Sequence, residues 1–126
     1  MSVFSSFDLS RYPIVIVILN GSPNNEKEFE DYLVYFKKLY EKKEKFSLII
    51  DSRNVGWINF YYLYRQATFL KEIEPLSKKY LNHTAIIITS VLADMFLKTI
   101  FGIKPPVTKT DTFDNFETAM MWIKQN

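Results

Sequence analysis

Three short apolar runs constrain this chain more than any other feature: Ile14-Val15-Ile16-Val17-Ile18-Leu19, Leu48-Ile49-Ile50 and Ala85-Ile86-Ile87-Ile88. Each is too short for a buried helix and too uniformly apolar for a strand with one wet face, so each reads as a strand covered on both sides. The middle run organises the rest. Within Phe46 to Gly56, FSLIIDSRNVG, it stops at Asp51-Ser52-Arg53-Asn54, the pattern of a buried parallel strand emerging into a loop. Ligands and partners of open α/β sheets usually meet the chain at such carboxyl strand ends.

The segments between these runs carry helical periodicity. Phe29, Tyr32, Leu33, Phe36, Leu39 and Tyr40 step by three and four, which predicts an amphipathic helix ending near Lys43, with Asn25 and Glu28 as a capping box. Its lysine-rich outer face is interspersed with glutamates and reads as a solvated surface rather than a phosphate contact. Asn59 is placed to cap a second helix with the stripe Phe60, Leu63, Tyr64, Ala67, Leu70, Ile73, Ser77 and Leu81. Pro75 removes a backbone donor from it, so a kink or two helices in tandem are expected near Glu74. Ser90 precedes a third helix with the stripe Leu92, Met95, Phe96, Thr99 and Ile100, closed by Gly102. Pro105-Pro106 forces an extended link, and Asp114 with Glu117 reads as a capping box for a last helix whose inner face is Phe116, Ala119, Met120 and Ile123.

Weak alternation over Val3 to Leu9 and over Val107 to Phe113 adds two edge strands. The predicted order is β-β-α-β-α-β-α-β-α. Strand–helix–strand units demand parallel pairing through crossovers, so the expected fold is α/β: one mixed, mostly parallel five-stranded sheet with four helices, forming a single domain over residues 1–126.

Composition excludes several classes of function. The 126 residues suit one core, and an aromatic content of 17% argues against disorder. Without cysteine there is no disulfide, thiolate metal site or cysteine nucleophile. With 16 basic and 14 acidic side chains the net charge is +2, which leaves no electrostatic footprint for nucleic acid. No run approaches the roughly 20 apolar residues needed to span a bilayer, and the amino terminus has no signal-peptide pattern, so a cytoplasmic location is expected. His83 is the single histidine. A metal site would need partners that no spacing supplies, and a serine triad would need His83 at the other end of its strand, so no metal, cofactor or catalytic residue is expected.

Polar residues gather where the three buried runs end: Asn20-Gly21-Ser22, Asp51-Ser52-Arg53-Asn54 and Thr89-Ser90. In a parallel sheet they converge beside helix N-termini, where backbone donors favour an anion. Strand ends and helix caps require these residue types in any case, and most of them only satisfy backbone groups. Asp51 and Arg53, two apart on a strand, either orient a ligand or pair with each other. Trp57, Asn59, Tyr61 and Tyr62 stand at the same corner, and Tyr61, Tyr62 and Tyr64 point in directions that do not allow all three to be buried.

The order of elements and the stretch Leu48 to Leu63 resemble the STAS family, the domain of anti-sigma-factor antagonists and sulfate-transporter tails, in its divergent SpoIIAA-like branch. Leu48-Ile49-Ile50-Asp51 followed by Val55 is similar to the family's apolar strand and the motif after it. Asn59-Phe60-Tyr61-Tyr62 stands where the family has its phosphorylatable Asp-Ser-Ser-Gly, so the phosphoserine switch does not carry over. The resemblance implies a non-enzymatic regulatory or protein-interaction module acting through the surface from Asp51 to Tyr64. The alternative is a carrier or sensor of a small lipid-like or anionic ligand held between the second and third helices, with Pro75 lending mobility to a flap. The expected partners are accordingly an unidentified protein, a second copy of this aromatic-rich chain, or a small apolar or anionic ligand.

Overall fold

The computed structural model describes residues 4–126. Five strands form one sheet in sequential order: β1 (Ser5–Asp8), β2 (Ile14–Gly21), β3 (Phe46–Val55), β4 (Leu81–Ile87) and β5 (Lys109–Phe113). β1 runs antiparallel to β2, and every other pairing is parallel. The three apolar runs therefore fall in the three central strands, pointing the same way, with Ile88 just past the end of β4. Val3, with which the first edge strand was expected to open, lies outside the described residues.

The helices are α1 (Glu26–Lys38), α2 (Phe60–Glu72), α3 (Glu74–Tyr80), α4 (Val91–Ile103) and α5 (Phe116–Gln125), with a turn of 3-10 helix over Leu39–Lys42. Among the described residues there are five α-helices where four were expected, because the proline-interrupted segment forms two helices in tandem. Pro75 sits in the first turn of α3, where its missing N–H costs nothing. Asn25 accepts from the Glu28 amide at 2.8 Å as predicted, while Glu28 reaches back to Asn24 rather than to Asn25 itself. Asn115, not Asp114, caps α5, accepting from the Thr118 amide at 2.9 Å. Gly102 lies inside α4 rather than closing it, and Met95 faces outward while Ala93 and Phe96 face in.

A sheet whose strands advance in one direction through right-handed crossovers places all its connecting helices on one face. α1, α2, α3 and α4 accordingly cover one side, burying Phe29, Leu33, Phe36, Leu63, Ile73 and Phe96 against Val15, Val17 and Leu48. Only α5, which follows the last strand, is free to cover the other, where Ala119, Met120 and Ile123 meet Ile16, Ile49, Ala85 and Ile87. Alternation along β3 feeds both cores.

β3 runs further than the sequence suggests. Asp51 to Asn54 belong to the strand, not to a loop, since after a register shift Asn20 and Gly21 of β2 still pair with Asn54 and Val55. Gly21 has φ +61°, a left-handed conformation that disfavours a side chain, and its carbonyl accepts from the Gly56 amide at 2.8 Å. A Cβ on Gly56 would lie 3.0 Å from Ser22 Oγ, so this close crossing of two strand ends also relies on glycine.

Candidate functional site

The carboxyl rim of the sheet brings together the expected residues, and most of their polar groups engage one another. Ser22 Oγ donates to the Trp57 carbonyl, and Ser52 Oγ donates to the Ile87 carbonyl at 2.7 Å. Ser90 accepts from the Ala93 amide at 3.1 Å to start α4, and Asn59 accepts from the Tyr61 amide at 2.7 Å to start α2. Asn20, Gly21 and Asn54 are exposed at strand ends. Asp51 takes Nε and Nη2 of Arg53 on its two oxygens at 2.9 and 2.7 Å, a bidentate pair that holds its carboxyl below the usual aspartate range.

The aromatic corner divides as the helical geometry requires. Trp57, Phe60, Tyr61 and Tyr64 are exposed, while Tyr62 turns inward and lies 4.9 Å from Phe29, ring centroid to centroid. Trp57 also meets Phe96 edge-on at 5.7 Å, which ties the β3–α2 connection to α4. His83 lies at the amino end of β4, far along the strand from Asp51, with its ring against Trp122.

Behind the rim lies a cavity of about 170 Å³ between the sheet and the helices α1, α2 and α4. Ile50, Leu63, Leu70, Ala93, Phe96 and Ile100 contribute to its wall. Ile50 and Ile86, neighbours on β3 and β4, and the small Ala93 of α4 are among the residues that line it. Its polar groups are largely spoken for. Tyr40 and Ser77 share a buried hydrogen bond of 2.8 Å, Ser52 is bound to Ile87, and Thr110 Oγ1 donates to the Thr108 carbonyl at 3.0 Å. Burial of Tyr32 raises its phenol well above the ordinary value, and burial of Tyr40 raises it too, so both present neutral hydroxyls. Lys104, at the end of α4, is the single charged residue among the described residues of the wall.

The cavity borders α2 and α4, the second and third helices of the alternative sequence expectation, and few of the candidate residues named from the sequence line it. Ser52 and Tyr62 were among the named candidates and do line it. Lys104, Ala93 and Gln66 were missed. A lone cation directly after the otherwise apolar last turn of α4, ahead of Pro105-Pro106, was the available signal.

The model of the divergent CRAL/TRIO domain family matches residues 11–116. The chain belongs to this family. No curated protein matches it. The solved structures similar to this CRAL/TRIO domain include an uncharacterised protein of the DUF3478 family with a SpoIIAA-like fold from Shewanella loihica PV-4, at a TM-score of 0.67 and 11% identity, covering 94% of this chain and 91% of that one. They also include the anti-sigma factor antagonist SpoIIAA in its unphosphorylated form, at a TM-score of 0.61 and 9% identity, covering 97% of each chain. The domain therefore has the SpoIIAA-like fold that its resemblance to STAS domains implied. Among the described residues no helix is long and apolar enough to cross a membrane, and no three His, Asp or Glu side chains gather as a metal site would require.

Proposed function

We propose that this domain is a non-enzymatic binding module that takes a small, largely apolar molecule into the cavity between the sheet and α1, α2 and α4. The cavity itself carries this reading. At about 170 Å³, with walls mostly of Leu, Ile, Phe and Tyr, it is comparable in volume to the ~150 Å³ engineered apolar void that binds benzene. Ligand sites are concave, mostly apolar and furnished with few polar groups, and this one fits that description. Regulation follows if the occupied cavity alters the rim above it, since Phe96 of the wall touches exposed Trp57.

Native mass spectrometry of freshly purified protein should show added mass that denaturation releases. Titration with benzene should shift the methyl resonances of Ala93, Leu63 and Ile100 saturably, and Ala93→Leu should abolish those shifts. Shifts that survive in Ala93→Leu, or none in the parent protein, would remove the cavity from consideration.

A second reading, a protein-interaction module, is favoured by the exposed Trp57, Phe60, Tyr61 and Tyr64 at one corner. The sequence placed this reading first, and the cavity moves the weight to the ligand. The absence of a serine at Phe60, Tyr61 and Tyr62 supports an interaction that does not depend on phosphorylation there. A bound protein should protect Asp51 to Tyr64 from hydrogen exchange, whereas protection confined to α1 would count against that surface.

A further inference from the structure

The charge on the cavity wall narrows the ligand, an inference that rests on the cavity reading above. The side chain of Lys104 is only 14% exposed, and its Nζ contacts Oε1 of Glu74 at the start of α3. The same nitrogen donates to the Pro105 carbonyl at 3.3 Å. Oε2 of Glu74 pairs with Lys78 Nζ at 3.3 Å, and Lys78 is 63% exposed. The cluster thus runs outward from the cavity wall to solvent. Two ammonium groups share one carboxylate, so the cluster carries one net positive charge, and Lys104 is its member on the cavity wall.

A charge in such surroundings attracts an anion far more strongly than one in open water, and a lysine ammonium offers three donors. Here one donor goes to Glu74 and another, at longer range, to a backbone carbonyl. We propose that the ligand is an amphipathic monocarboxylate, with a short apolar tail in the cavity and its carboxylate on Lys104. A second carboxylate would complete two-to-two neutrality in the cluster. A neutral hydrocarbon would leave the positive charge unused, and a doubly charged head would exceed it. By comparison with the benzene-binding void, a tail of about six carbons fills the space.

The test titrates the full chain with hexanoate and with hexanol at neutral pH, following Ala93 and Ile100 by NMR. Both ligands should bind, hexanoate about ten-fold more tightly because its carboxylate makes a charge-assisted hydrogen bond. Lys104→Met keeps an apolar stem of similar length, and it should bring hexanoate down to the level of hexanol while leaving hexanol unchanged. Glu74→Gln removes the competing carboxylate and should tighten hexanoate alone, a readout that stands even where Lys104→Met does not fold. Equal affinities in the parent protein, or a hexanoate preference unaffected by both substitutions, overturn the head-group assignment and leave the apolar cavity standing. No saturable shift with either ligand overturns both.

Discussion

The two faces of the sheet are packed differently. The face under α5 is closed, and its buried members are aliphatic, with Phe113, Phe116 and Trp122 only partly buried against them: Ile16, Ile49, Ala85 and Ile87 meet Ala119, Met120 and Ile123, and Ile49, Ala85, Ile87 and Ala119 are completely inaccessible. The face under α1 to α4 is aromatic and encloses the cavity. Phe4, Phe29, Tyr32, Phe36 and Phe69 meet there largely edge-to-face or tilted, as ring quadrupoles prefer. A single helix laid on a sheet can settle until its small residues touch the strands. Several helices from separate crossovers must also fit one another, and large rings hold them apart. One face therefore works as a foundation and the other has room for a guest.

Neighbouring residues of β3 break or sharpen this contrast most directly, because they point to opposite faces. Ile49→Ala, under α5, should cost about 3–5 kcal/mol, whereas Ile50→Ala, on the cavity wall, should cost about 2 kcal/mol or less because fewer atoms surround it. Urea denaturation of both variants decides this, and equal losses would mean the two faces are packed alike. Added volume tests the converse. Ala85→Leu should destabilise by about 1–3 kcal/mol through overpacking, and Ala93→Leu, which grows into the void, should be neutral or slightly stabilising.

Ser77→Ala should cost about 1–2 kcal/mol on the cavity face, since Tyr40 Oη then loses its buried partner. Thermal unfolding of Ser77→Ala alongside Tyr40→Phe and the double variant would show whether the pair is coupled, and strict additivity would deny it. The smallest expected loss belongs to Asp51. Arg53 depresses the Asp51 pKa, so the pair contributes stability above the unfolded-state value of about 3.9 and loses it as pH falls through the lower folded-state value. At neutral pH Asp51→Asn should lose under about 1 kcal/mol, given the exposure of Arg53, and the gap from the parent protein should close in acid. A gap that stays constant down to acid pH would mean the ion pair is not its source.

Much of this architecture was legible in the residues. The three β-branched runs identified the central strands, the spacing of Phe29, Leu33 and Phe36 identified the buried face of α1, and Pro75 marked the break between α2 and α3. Local signals were less reliable at boundaries. Asp51 to Asn54 look like a loop by composition, yet pairing with the end of β2 keeps them in the strand. The rim candidates could be named one by one, but whether Ser52 faced a ligand or the Ile87 carbonyl depended on a neighbouring strand. The position of Lys104 is not legible in its own neighbourhood, because its partner Glu74 lies thirty residues earlier and the apolar wall around it is built from several elements.

By itself the sequence determined the order of elements, the parallel direction of the central strands and the absence of cysteine chemistry, because periodicity, caps and composition are properties of neighbouring residues. Only the tertiary structure decided that four helices share one face, that they enclose a cavity of about 170 Å³, and that Lys104 is the charged residue among the described residues of its wall. Those outcomes depend on how side chains far apart in the chain fill or fail to fill a common volume, and no local pattern records that fit.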